Sequence, residues 1–220
     1  MTTLYLIRHS IKYTRKNFES YNGSDGNYLK DDKIILSSEG ERRAEILSHE
    51  KELENIDVVY SSNMVRSIST AKYLCESQNL QINVDERLNE RTCGKPNDDI
   101  YPDWFSRQFY DPTFKTEGGE SQEETSQRVH EVLNEIINKN KNKRIAVFSH
   151  GYAITFSILK WCQIVNVSED RTLTFKYKDK IFMNKKLNAP EVFKLEFDEN
   201  NNLIDINIIE FDDLPFNTGN

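Results

Sequence analysis

At 220 residues, with 37% hydrophobic and 30% charged side chains, the chain is sized for one domain with a sizeable core. A net charge of −7 argues against a nucleic-acid surface, so a site for an anionic ligand must be a local cluster of cations in an acidic protein. No apolar run has the length of a membrane span, and "MTTLYLIRHS" lacks a basic stretch ahead of its apolar part, so the expectation is a cytoplasmic protein with no signal peptide.

The first strand is expected at Thr3–His9, where an apolar run stops at Arg8-His9. Residues 11–33 carry Tyr, Asn, Gly, Asp and Lys without periodicity and read as a long functional loop. "LSSEGERRAEIL" predicts a helix capped by Ser37 or Ser38. "IDVVYSS" (Ile56–Ser62) reads as a short strand. Met64–Ser77 reads as a helix with Val65, Ile68, Ala71 and Cys75 on one face. "QINVDERLNE" gives a strand running into a polar turn. Residues 94–119 look irregular and aromatic, a cap over a pocket. Glu120–Asn140 is an amphipathic helix opened by the capping-box pair Ser121 and Glu124. Arg144–Phe148 is a strand, followed by a Ser149-His150-Gly151 turn and an apolar helix. Alternating runs around Asp198–Asn202 predict a terminal β-hairpin.

Strands alternating with helices imply an α/β fold, a three-layer sandwich whose largely parallel central sheet is flanked by helices. The expected organisation is one domain over residues 1–220, with cap segments at 11–33 and 94–119 and the C-terminal hairpin.

In such a sheet ligands bind beyond the carboxyl ends of the strands. Two strands end in histidine, "LIRH" and "VFSH". A third places Arg66 in the first turn of the next helix, and a fourth places Glu90 and Arg91 just past its tip. Arg8, His9, Arg66, Glu90 and His150 therefore converge on one sheet edge. Two arginines and two histidines suit a tetrahedral dianion, because guanidinium forks match phosphate oxygens. Helix starts near Met64 and Gly151 can add backbone N–H groups. One histidine can attack phosphorus through a neutral ring nitrogen while the other stabilises the equatorial oxygens. The leaving alkoxide needs a proton from a carboxyl group, and Glu90 is the candidate. The thiols Cys75, Cys93 and Cys162, odd in number and widely spaced, read as reduced bystanders rather than a disulfide framework or zinc site. None has the arginine six positions on that a cysteine-based phosphatase would need, since Gln81, Asp99 and Ser168 stand there. His49 and His130 read as surface residues without a role.

The blocks "LIRHS", "LSSEGERRA", "SSNMVRSISTA", "LNERTCG", "GGESQEETSQRV" and "FSHG", in that order from Leu4 to Gly151, resemble the histidine phosphatase superfamily, also called phosphoglycerate-mutase-like. The resemblance implies that His9 is the phosphorylated nucleophile, that Arg8, Arg66 and His150 form the phosphate pocket, and that Glu90 is the general acid/base. It implies phosphoryl transfer without a metal or cofactor. The expected partner is a small phosphorylated substrate, with phosphate or sulfate able to occupy the site, and neither nucleic acid nor membrane. Oligomeric state is not legible. The chain departs from the family pattern after the nucleophile, where Ser10 and Ile11 replace a glycine-glutamate pair. Neither Arg15 nor Asn17 can be assigned to the asparagine that follows it. These departures favour a phosphomonoester hydrolase over a metal-independent phosphoglycerate-type mutase, and the presence of all five core residues favours it over a catalytically weak phosphate-binding regulatory module. Arg91 keeps an open role in substrate binding.

Overall fold

The computed structural model describes residues 1–13, 31–94 and 103–211. In chain order the elements are β1 (Thr2–Arg8), α1 (Ser38–Ser48), β2 (Val58–Ser61), α2 (Val65–Gln78), β3 (Ile82–Val84), α3 (Trp104–Tyr110), α4 (Gln122–Lys139), β4 (Arg144–Ser149), α5 (Gly151–Ile158), β5 (Gln163–Val167), β6 (Leu173–Tyr177), β7 (Lys180–Lys185), β8 (Glu191–Phe197) and β9 (Leu203–Ile209).

β1 shows why the sandwich has three layers. Leu4, Tyr5, Leu6 and Ile7 are all fully buried, so the strand has no polar face and must be covered on both sides. Leu4 and Leu6 pack with Val129, Val132 and Ile154 of α4 and α5. Tyr5 and Ile7 join Leu47, Ala71 and Leu74 of α1 and α2. The sheet order is β3-β2-β4-β1-β8-β9. The first four strands run parallel, and β8 and β9 add an antiparallel hairpin at one edge. Arg8 stands opposite Ser149 on β4, so the residues that follow, His9 and His150, leave neighbouring strands side by side.

The strand and helix pattern follows the sequence closely, including the capping box at Ser121 and Glu124 that starts α4. Four expectations need correction. The buried side of α2 runs through Ser67, Thr70, Ala71, Leu74 and Cys75, leaving Val65 and Ile68 only half-buried, because the small polar residues are what fit against the strand end. Residues 94–119 are not wholly irregular, since Phe105 and Phe109 give α3 an apolar side that docks on Tyr152 and Phe156. The second antiparallel sheet, β5-β6-β7, went unpredicted: its strands alternate weakly and are broken by bulges. His130 is half-buried rather than a surface residue, with its ring tilted against Trp161 at 4.4 Å, whereas His49 is exposed. Residues 14–30, which include Arg15 and Asn17, and residues 95–102 of the proposed cap segments lie outside the described residues. Among the described residues no helix is long and apolar enough to cross a membrane.

Candidate active site

His9 is held in one tautomer by its own chain. Its Nδ1 lies 2.6 Å from the carbonyl oxygen of Ser10, which can only accept, so Nδ1 carries the hydrogen. Nε2 is then the lone-pair nitrogen, and Arg66 Nε–H donates to it at 3.2 Å. Burial, then Arg66 and Arg8, hold His9 well below the ordinary histidine range. His150 is fully buried, and its ring centre lies 5.1 Å from that of His9. Burial first, then His9 and the two arginines, depress it in the same direction. Its Nε2 meets Ser62 Oγ at 2.8 Å, while Nδ1, buried, has no partner among the described residues.

The backbone around His9 is fixed from two helices. Ser10 N–H donates to Thr70 Oγ1, which donates to the carbonyl of Arg66, so one threonine couples the positions of His9 and Arg66. From α1, Ser37 N–H and Oγ–H both donate to the Ile11 carbonyl, and Ser37 Oγ caps the helix by accepting from Gly40 N–H. This close approach requires glycine at position 40: a Cβ there would lie 2.1 Å from the Ile11 oxygen.

Arg8 is anchored from the far side of the sheet. Its Nη1 donates to the carbonyls of Leu187 and Asn188, and the buried Glu191 accepts from Asn188 N–H, so β8 braces the loop that braces the arginine. Arg66, only 2% exposed, is engaged as well. Its Nη1 and Nη2 donate to the carbonyl and carboxylate of Asp31. Asp31 thus holds the guanidinium face that the sequence reading reserved for phosphate.

Glu90 sits at the start of α5, where Arg91 N–H and Ala153 N–H donate to one oxygen and Tyr152 N–H to the other. The N–H groups expected from the turn at Gly151 are therefore spent partly on Glu90 rather than all facing an anion. The segment carrying Glu90 is clamped by the "GGESQEETSQRV" block. Arg128 Nη1 donates to the carbonyls of Arg87 and Asn89, and its guanidinium pairs with Glu120. Alongside, Glu120 N–H donates to the Thr92 carbonyl and Thr92 N–H to the Glu120 carboxylate.

These groups open onto a cleft of about 730 Å³ whose outer wall includes Phe105, Phe109 and Tyr152. All five residues predicted from the sequence are brought together. The sequence reading missed Asp31, Lys12, Asp170, Arg171 and Lys186, which also line the cleft. Arg171 and Lys186 belong to the unpredicted sheet, and Asp31 lies in a stretch without a motif. Cys93 lines the cleft too, but burial pushes its thiol up to about 11, so it is no thiolate at neutral pH. Among the described residues no group of three or more His, Cys, Asp or Glu has the arrangement of a metal site.

A neutral, oriented histidine beside buried cations at the carboxyl edge of an α/β sheet is an arrangement suited to phosphoryl transfer. The family model described as "Histidine phosphatase superfamily (branch 1)" matches residues 4–176. Phosphoserine phosphatase 1 of Hydrogenobacter thermophilus is 30% identical over 158 residues, covering 68% of this chain and 71% of that protein. Phosphoserine phosphatase of Entamoeba histolytica, solved in complex with 3-phosphoglyceric acid, superposes with a TM-score of 0.67 at 19% identity, covering 97% of this chain and all of that one. A mycobacterial glucosyl-3-phosphoglycerate phosphatase solved with VO3 gives 0.66 at 19% identity, covering 95% and 98%. The chain belongs to the histidine phosphatase superfamily, and its activity is that of a phosphomonoesterase.

Proposed function

We propose that the chain hydrolyses a small phosphomonoester in two steps, with His9 as nucleophile. The observation that carries this is the fixed tautomer of His9, with its lone pair on Nε2 at the side of Arg66. In the first step Nε2 forms a bond to phosphorus, the bond to the leaving oxygen breaks, and Glu90 in its acid form gives that oxygen a proton. In the second step Glu90, now a carboxylate, takes a proton from water as the water oxygen bonds to phosphorus. The P–Nε2 bond breaks and phosphate departs. Arg8, Arg66 and His150 stabilise charge on the equatorial oxygens. With Ser62 Oγ–H donating to Nε2 of His150, Nδ1 carries a hydrogen and supplies a donor. Asp31 must yield the Arg66 guanidinium for the anion to seat.

No step calls for a metal, and the enzyme works as a metal-independent hydrolase. A single domain accounts for the chain, because one sheet takes strands from residue 2 to residue 209. The three free cysteines fit a cytoplasmic setting. Hydrolysis is favoured over mutase chemistry by the Ser10-Ile11 departure and by the phosphatases among the relatives. Phosphoserine and 3-phosphoglycerate are the first natural compounds to assay, since they appear with those relatives.

Turnover of p-nitrophenyl phosphate in the presence of EDTA, beside His9→Ala, tests the reading. Wild type is expected to turn over and the variant to fall to background. Equal rates would sink it. With 3-phosphoglycerate, release of inorganic phosphate is expected to outpace formation of 2-phosphoglycerate.

A further inference from the structure

The cleft is larger than a phosphate needs, and its outer part holds cations that the two-step chemistry leaves unused. Arg91 is 3% exposed. Its Nε donates to the Glu120 carbonyl and its Nη1 to Gln108 Oε1, but Nη2, also buried, has no partner among the described residues. A buried guanidinium nitrogen left without an acceptor is costly and is the kind of exception that calls for a ligand. Arg91 lies over the rings of Trp104, Tyr152 and Phe156, so the surrounding wall is aromatic and poorly hydrating.

The same cleft is lined by Arg171, at the turn between β5 and β6. The turn is a tight one: Ser168 N–H donates to the Thr172 carbonyl, and Arg171 N–H to the Ser168 carbonyl. Arg171 has φ +69°, a left-handed conformation that hairpins of this kind ordinarily give to glycine or asparagine. A long cationic side chain at such a position points to a use for the side chain rather than for the backbone. Its guanidinium stacks on Phe105 at 5.2 Å, lines the cleft, and pairs with no carboxylate among the described residues. Its neighbour Asp170 is turned to other work. It accepts from Ser168 Oγ, Thr172 N–H and Thr172 Oγ1 and pairs with Lys186, so it builds the turn. Tyr110 of α3 accepts from Val167 N–H, which ties the turn to the cap helix.

We infer that Arg171, with Arg91 lining the same cleft, reads a second anionic group of the substrate, making the β5–β6 turn the element that selects small phosphomonoesters carrying a carboxylate or a second phosphate. This rests on the phosphatase reading above. The stacked guanidinium at the rim meets the anion first, and the buried Nη2 gains its missing acceptor. Net selectivity comes from charge-assisted hydrogen bonds in a partly dry site.

Arg171→Gly tests it, because glycine suits the left-handed turn and keeps the fold. Wild type and variant are assayed on phosphoserine and 3-phosphoglycerate (carboxylate arm), a sugar bisphosphate (phosphate arm), and phosphoethanolamine and p-nitrophenyl phosphate (no second anion). The ratio of kcat/KM for at least one acidic arm over the non-acidic pair is expected to fall by about 10- to 100-fold, through KM, with Arg171→Lys in between. Which arm falls identifies the second anion. A parallel fall on all substrates, or no change on any, overturns the inference while leaving the phosphatase reading intact. Absence of turnover by wild type on every substrate overturns both.

Discussion

His9 and Arg66 share a contact in which a cation donates to the lone pair of an imidazole, and in the proposed mechanism that contact sets the order of events at the residue scale. Arg66 Nε–H occupies His9 Nε2, and an arriving phosphate is expected to draw the guanidinium onto its oxygens and free the lone pair. Asp31 stands in the way of that exchange, because its carboxylate and carbonyl hold both Nη groups of Arg66. The carboxylate is more than half exposed, so it leaves for water at little cost. Asp31→Ala is therefore expected to lower the Ki of inorganic phosphate several-fold, measured against p-nitrophenyl phosphate. A raised Ki would show instead that Asp31 orders Arg66 for binding. The five predicted residues were legible because Arg8, His9 and His150 stand at or just past strand ends, Arg66 lies in the first turn of α2, and Glu90 follows the short turn after β3. Asp31 was not, because nothing in "KDDK" distinguishes it from any solvated acidic pair.

Among the elements, α1 and α2 do the least chemistry and the most positioning. Thr70 of α2 ties Ser10 to Arg66, and Ser37 and Gly40 of α1 hold Ile11. The departure Ser10-Ile11 is thus absorbed by the backbone: Ser10 still offers its carbonyl to His9, and its side chain is buried. Gly40→Ala is expected to cost about 1–3 kcal/mol in denaturant unfolding, because the new Cβ meets a backbone oxygen that two hydrogen bonds hold in place. It should also lower kcat, since Ile11 is two residues from His9. An unchanged midpoint and kcat would show that α1 can slide. Most of the main sheet and its helices could be read from periodicity, with β1 giving itself away as a run buried on both faces. β5 to β7 could not, because their outward residues, such as Val165 and Ile181, are as apolar as inward ones and the alternation is lost. The missed sheet carried Asp170, Arg171 and Lys186, in its turn and at its end, with it.

For the whole molecule, burial of neutral histidines makes stability depend on pH. His9 and His150 are held below the ordinary histidine value, so in the folded state they bind fewer protons than in the unfolded chain once the pH drops below about 6.5. Their contribution is complete above that pH and is lost as pH falls toward the folded values. His130, depressed by burial and then by Lys160, adds in the same direction. Glu191, raised by burial, opposes it in the lower part of the window. Tm is expected to fall as the pH is lowered from 6 to 5. His9→Ala should flatten that dependence. A wild-type Tm that is constant or rises on acidification would contradict the burial of neutral imidazoles.

The most direct test is to find where the phosphoryl group goes. Enzyme quenched in alkali during turnover of p-nitrophenyl phosphate, then unfolded and examined by ³¹P NMR with peptide mapping, is predicted to show phosphohistidine on His9 substituted at Nε2 and none in His9→Ala. Phosphorylation at Nδ1, on another residue, or hydrolysis with no phosphoenzyme would contradict the account.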